Sequence, residues 1–173
     1  APATFSFNTF SDISGSTISI PDNPFTNGLR LVYSTASGSE NTILVDGNTY
    51  YVVNSVGNSF GLANSQGGSA ISLSQSADDT SAESHSLTGV TATVTLTQSG
   101  GEITGITIND QGTLYDGNSL PSITIDEAGQ TTHATLTVFC GRSLSSISIG
   151  SRGSGYTSAP TVTVFASPSD STG

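Results

Sequence analysis

Apolar residues along this chain recur at every second position far more often than at the spacing of a helix. Ile18 and Ile20, Ile71 and Leu73, Val94 and Leu96, and Ile106 and Ile108 begin the series. Ile123 and Ile125, Leu136 and Val138, Ile147 and Ile149, and Val162 and Val164 continue it, with a Ser or Thr between the members of every pair. Successive strand side chains point to opposite faces, so this pattern gives an apolar face and a hydroxyl face, as in half-buried antiparallel strands. Roughly a dozen short strands are predicted. Turn signals separate them: Asp22-Asn23-Pro24, Asp46-Gly47-Asn48, Asp116-Gly117-Asn118 and Gly153-Ser154-Gly155. The expected fold is all-β, built from antiparallel β-sandwich or small β-barrel modules.

The second half contains an internal repeat. Ile103 to Ile108 lies over Leu144 to Ile149, Gly112 over Gly153, and Tyr115 over Tyr156. Pro121 to Ile125 lies over Pro160 to Val164 after a two-residue difference in the loop, and Ala92 to Leu96 parallels Ala134 to Val138. Each unit reads strand, turn, strand, a Gly and Tyr loop, a Pro and another strand, over about 92–128 and 134–166. The tyrosines are expected to fold over the apolar face. The prolines preset φ where a strand begins and no ladder donor is needed, and Gly112 and Gly153 take turn conformations that a Cβ disfavours.

Residues 1–88 show no such duplication, although Tyr50-Tyr51-Val52-Val53 and Phe60-Gly61-Leu62-Ala63 read as strands. Two domains are therefore expected, 1–88 and a duplicated 89–173. A polar loop over 75–86, with Asp78, Asp79 and Glu83, precedes the boundary, and 167–173 reads as a tail.

Composition narrows the function. The chain has 173 residues, of which only 9% are charged, and its polarity comes from Ser, Thr, Asn and Gly. Three Arg and no Lys against thirteen carboxylates give a net charge of -10, which repels phosphate backbones and anionic lipid, so neither nucleic acid nor membrane is expected as a partner. No apolar run is long enough to span a bilayer, and Ala1-Pro2-Ala3 opens without a charged, apolar leader, so a soluble chain with no secretion signal is expected. The one cysteine, Cys140, is expected as a small core residue following Phe139, with an interchain disulfide as the alternative.

Candidate chemistry is sparse. Nucleophilic catalysis needs a base, and the two histidines, His85 and His133, sit in segments of different character. Asp78-Asp79 and Asp126-Glu127 read as turn carboxylates, with no tryptophan platform for glycosidic chemistry beside them. Asp46, Asp110, Asp116 and Asn118 offer loop oxygens to a calcium ion but lack the regular spacing of a calcium loop. The Gly150 to Gly155 stretch lacks the lysine of a phosphate loop and reads as a hairpin. No enzyme and no cofactor are expected. Phe5, Phe7 and Phe10 are the candidate docking segment, since alternating aromatics near a terminus can add a strand to a neighbour's edge; the alternative is an edge strand of their own domain.

The run Ile147-Ser148-Ile149, then Gly153-Ser154-Gly155-Tyr156-Thr157-Ser158-Ala159-Pro160-Thr161-Val162-Thr163-Val164, resembles a repeat common in phage virion proteins, notably those of marine cyanobacterial phages. In the first copy the loop reads Gly112-Thr113-Leu114-Tyr115, which departs from Gly-x-Gly-Tyr but keeps the Tyr and Pro anchors. The first half, with Asn23-Pro24-Phe25-Thr26-Asn27-Gly28, Leu31-Val32-Tyr33, Asp46 to Val53, Phe60 to Ala63, Ala70 to Leu73 and a closing His85-Ser86-Leu87, is similar to modules of phage structural proteins and large bacterial adhesins.

These resemblances imply a non-enzymatic virion protein at the particle surface. The expected role is a capsid decoration or cement protein that contacts the major capsid protein or other virion proteins and self-associates, with a trimer the natural form. The alternative is a tail-fibre or adhesin module that binds host glycan through exposed Tyr33, Tyr50, Tyr51 and Tyr156. A third reading, a polysaccharide-cleaving tailspike, requires a carboxylate groove that the sequence does not locate.

Overall fold

The computed structural model describes residues 2–8, 11–35, 43–73, 85–115, 120–126 and 129–165. Phe10, Asp78, Asp79, Glu83, Asp116, Asn118, Glu127 and the segment 167–173, all named above, lie outside the described residues, as does the side chain of Asp126. The fold is all-β: the described residues form thirteen strands and no helix, and every ladder is antiparallel. The chain divides into two compact units, Thr4–Val90 and Ala1–Ala3 with Thr91–Gly173.

The first unit is one seven-stranded sheet. Its strands are β1 (Thr4–Phe7), β2 (Ile13–Ser14), β3 (Thr17–Ser19), β4 (Arg30–Thr35), β5 (Thr49–Val56), β6 (Ser59–Ala63) and β7 (His85–Gly89), in the order β1-β7-β4-β5-β6-β3-β2. Register puts the apolar members of each alternation on one face. Phe7 lies opposite His85, Tyr33 opposite Leu87, Leu31 opposite Tyr50, Val52 opposite Leu62, and Phe60 opposite Ile18, and all are buried. A flat sheet would hold β1 and β6 about 19 Å apart at roughly 4.8 Å per strand. Instead Phe25 touches both, its ring 5.0 Å from Phe5 and 4.9 Å from Phe60, edge-on in each case. The sheet is therefore strongly curled, with Phe25 closing the core from the β3–β4 connection. Asn23 sets Phe25 in place: its Oδ1 accepts the Phe25 N–H at 2.9 Å, an Asx turn.

Ile71 and Leu73, read as a strand from their alternation, do not form one. The Ile71 N–H donates to Leu62 O at 2.7 Å and the Leu73 N–H to Gly15 O at 2.9 Å, so the segment crosses between two neighbours and builds no ladder with either. Leu73 is nevertheless buried, which is what its alternation recorded.

The second unit contains three two-stranded ladders: β8 (Thr93–Ser99) with β9 (Glu102–Asp110), β11 (Thr135–Cys140) with β12 (Leu144–Ser151), and β10 (Ser122–Asp126) with β13 (Thr161–Phe165). Residues aligned in the two sequence copies make matching contacts. The β8–β9 ladder shifts register at Thr93/Val94 and Thr97/Gln98, and β11–β12 shifts at the aligned Thr135/Leu136 and Phe139/Cys140. The Leu144 N–H donates to Gln111 O at 2.8 Å, and the Ile103 N–H to Arg152 O at 3.0 Å. The Tyr115 N–H donates to Arg142 O at 3.0 Å, and the Tyr156 N–H to Gly101 O at 3.1 Å. In the β10–β13 ladder the aligned residues Thr124 and Thr163 face each other.

The core draws on both halves of this unit. One cluster joins Ala92 and Tyr115 to Val138, Leu144 and Val164; the other joins Leu96 and Ile103 to Tyr156, with Ala134, Leu136 and Val162 packed against it. Each cluster takes side chains from both copies, so neither copy assembles a core alone. Leu144 and its counterpart Ile103 are wholly buried, a burial that stabilises by about 1.5–3 kcal/mol for such a side chain. One backbone detail separates the copies: Gly155 sits at φ +82°, and Leu114 holds the aligned position at φ +58°. A left-handed leucine costs about 1–2 kcal/mol, and the burial of Leu114 offsets that cost.

Candidate functional site

The repeat anchors serve the fold. Tyr115 and Tyr156 are buried, and their hydroxyl oxygens accept the Ala92 N–H at 2.7 Å and the Ala134 N–H at 2.8 Å. Each tyrosine thereby satisfies a backbone donor just before the first strand of its own copy, where no ladder partner reaches. Pro121 and Pro160 are buried and directly precede β10 and β13. Gly112 and Gly153 share a left-handed backbone, φ +64° and +63°, and Asp110 closes the first loop by accepting the Gly112 N–H at 2.8 Å.

Burial pushes the Tyr115 hydroxyl above its ordinary pKa of 10.0; the Ala92 N–H works against that rise, while Cys140 and Asp110 add to it. In the unfolded chain this tyrosine releases its proton near 10.0, whereas the folded chain keeps it to higher pH. Stability is therefore full below that value and falls as pH rises through the window above it. Tyr115→Phe is expected to cost about 1–3 kcal/mol at neutral pH, the penalty of a buried N–H left unpaired, and to flatten the alkaline loss. Urea unfolding at neutral and alkaline pH measures both effects; an alkaline slope unchanged by the substitution would refute the assignment.

Two of the three docking-segment phenylalanines, Phe5 and Phe7, pack within their own unit. Phe7 is buried and stacks on His85 at 5.4 Å, and Phe5 packs on Phe25. His85 is wholly buried, its Nδ1 2.6 Å from the Tyr33 hydroxyl, while His133 is exposed with its Nδ1 3.0 Å from Gln130 Nε2. The expectation of exposed tyrosine faces for glycan stacking needs correction. Tyr33, Tyr50 and Tyr156 are 0%, 3% and 3% exposed, the first two on the inward faces of β4 and β5 and the third packed in a core cluster from its loop, and Tyr51 alone of the four is half-buried. Asp46 spends Oδ1 on the Thr35 N–H at 3.0 Å. Cys140 is half-buried against the Tyr115 cluster.

What the first unit does present is an open depression of about 240 Å³ on the outer side of β5. Val52, Val53 and Asn54 supply one wall, Asn27 and Gly28 a second, and Gly67 and Gly68 a third. Its position comes from an irregularity in β5: pairing with β6 breaks between Val53 and Val56, and Asn54 takes a left-handed backbone at φ +53°. The bulge turns the Asn54 side chain out of the ladder, and asparagine tolerates that conformation better than most residues. The turn before β4 is clamped to the bulge: Gly28 N–H donates to Val52 O at 2.8 Å, Val52 N–H to Leu29 O at 2.8 Å, and Ser55 N–H to Asn27 Oδ1 at 2.8 Å. Gln66 Nε2 lies across Gly28, 3.5 Å from where a Cβ would stand.

The first-half motifs include Asn27, Gly28, Val52 and Val53, but no motif marked Asn54, Gly67 or Gly68 or brought these stretches together. An asparagine directly after the Tyr-Tyr-Val-Val run was the available signal, since it interrupts a strand with a residue suited to positive φ. Among the described residues the lining carries no charged side chain, so the depression can exchange hydrogen bonds with a neutral ligand but supplies no acid, base or nucleophile. Compared with known proteins, the chain matches no family model, no curated protein and no solved structure.

Proposed function

We propose that this chain is a non-enzymatic structural protein of a bacteriophage particle, a decoration protein that binds the outside of the shell and stabilises it. The observation that carries the reading is the outward surface of the second unit. Thr93, Thr95 and Thr97 on β8, Thr135 and Thr137 on β11, Ser146 and Ser148 on β12, and Thr161 and Thr163 on β13 are all exposed, in rows set by the strand alternation. Short hydroxyl side chains on strands lose little conformational entropy when a partner covers them. Such rows suit many modest polar contacts, and repetition over a symmetric shell multiplies them into avidity.

The partners in this reading are the major capsid protein or other virion proteins, with self-association at the shell's local symmetry axes. A net charge of -10 keeps the chain off packaged nucleic acid and anionic membranes and on the particle exterior. The resemblance of the Gly-Tyr-Pro repeats to phage virion repeats points the same way. Mixing the purified chain with shells assembled without it tests the proposal by co-sedimentation. Saturable binding at a fixed ratio to the shell protein, with a rise in the temperature of shell disruption, is the expected result. Failure of the folded chain to bind would overturn it.

A further inference from the structure

We infer that the depression beside β5 is a binding site for a neutral saccharide. The inference is independent of where on a particle the chain sits. Two amide side chains, Asn27 and Asn54, line the depression with hydrogen-bonding capacity to spare, and a third, Gln66, lies beside Gly28. Asn27 uses its Oδ1 on the Ser55 N–H and keeps its Nδ2 group, and the side-chain amides of Asn54 and Gln66 form no hydrogen bond among the described residues. Amides both donate and accept, which is what adjacent sugar hydroxyls require of a partner. Val52 and Val53 line it as buried residues, and Gly28, Gly67 and Gly68 leave room where side chains would otherwise fill it.

A second observation points to the same place. Asn54 occupies a left-handed conformation inside a strand, and β5 pays for it with a broken ladder between Val53 and Val56. Strand bulges and off-region backbone gather where a side chain must be aimed at a ligand. No charged group among the described residues lines the depression, so carboxylated, sulfated or phosphorylated sugars gain nothing there, and the chain's net charge of -10 disfavours them further. A neutral hexose unit is the ligand that fits.

The test is a titration of the full chain, isotope-labelled, with neutral hexasaccharides of glucose, galactose and mannose up to about 10 mM, which covers weak single-site binding. At least one sugar is expected to shift the backbone signals of Gly28, Asn54, Gly67 and Gly68 and the side-chain amide of Asn54, in a saturable manner. Asn54→Gly keeps the backbone at φ +53° without strain and removes only the amide. That variant is expected to fold as the parent does and to bind at least about tenfold more weakly, the loss of one to two hydrogen bonds. Absence of shifts at these signals with all three sugars, or binding of undiminished strength in Asn54→Gly, would overturn the inference.

Discussion

Gly153→Ala is expected to destabilise the second unit by about 2–5 kcal/mol, the sum of a left-handed alanine and an overpacked site. A Cβ at this position would stand 2.6 Å from Ala134 N, 2.6 Å from Thr132 O and 2.7 Å from the Tyr156 ring. Two of these atoms are backbone, and they belong to the loop that also delivers the Ala134 N–H to the Tyr156 hydroxyl. The methyl therefore cannot be accommodated by a rotamer change. Opening the loop to admit it would break the bond that pins Tyr156 over its half-core. Gly100→Ala is the control, since Gly100 has a similar φ, +62°, with no described residue within 4 Å of a Cβ, and its cost is expected to stay near the 1–2 kcal/mol of the backbone term alone. Denaturant unfolding of the two variants, followed by hydrogen exchange of the β11 and β12 amides, separates the effects. Equal costs at the two positions would show that the close approach around Gly153 contributes nothing.

In the first unit the largest loss is expected from Phe25→Ala, about 3–5 kcal/mol. Phe25 is 4% exposed and is the ring through which strands near opposite ends of the sheet order touch. Its removal leaves a cavity between Phe5 and Phe60 and deletes two edge-to-face contacts, each worth about 0.5–1.5 kcal/mol beyond burial. Because these contacts hold the curl, the variant should also lose hydrogen-exchange protection along β1, which pairs with β7 on one side only. Val56→Ala, at a residue 78% exposed, serves as the surface comparison and is expected to change stability by no more than about 0.5 kcal/mol. A Phe25→Ala cost in that range would mean that the sheet's curvature does not depend on this ring.

The strands were legible in the sequence because alternation records burial directly. The Ser and Thr between each apolar pair face out, and the apolar pairs line the cores. Alternation could not say what each strand pairs with. Ile71 and Leu73 carry the same pattern as Ile147 and Ile149, yet only the latter sit in a ladder, since pairing depends on which backbone lies alongside. The repeat alignment picked out Tyr115, Tyr156, Gly112 and Gly153 without distinguishing a structural tyrosine from a binding one. The distinction rests on the Ala92 and Ala134 donors, which lie more than twenty residues away in the chain. Tyr33 and Tyr50 looked available as stacking faces because β4 and β5 have apolar residues at adjacent positions, which blurs the alternation that assigns a face. The depression was hidden for a different reason: it is assembled from three separate stretches, around Asn27, Asn54 and Gly67, and its defining feature is a backbone irregularity.

The most direct test of the decoration proposal is the number of copies of this chain per particle, obtained by quantitative mass spectrometry of purified virions against the major shell protein. Hundreds of copies in a fixed ratio to the shell protein are expected of a protein that covers the capsid exterior. A count of a few to a few dozen would contradict that role and assign the chain to the tail.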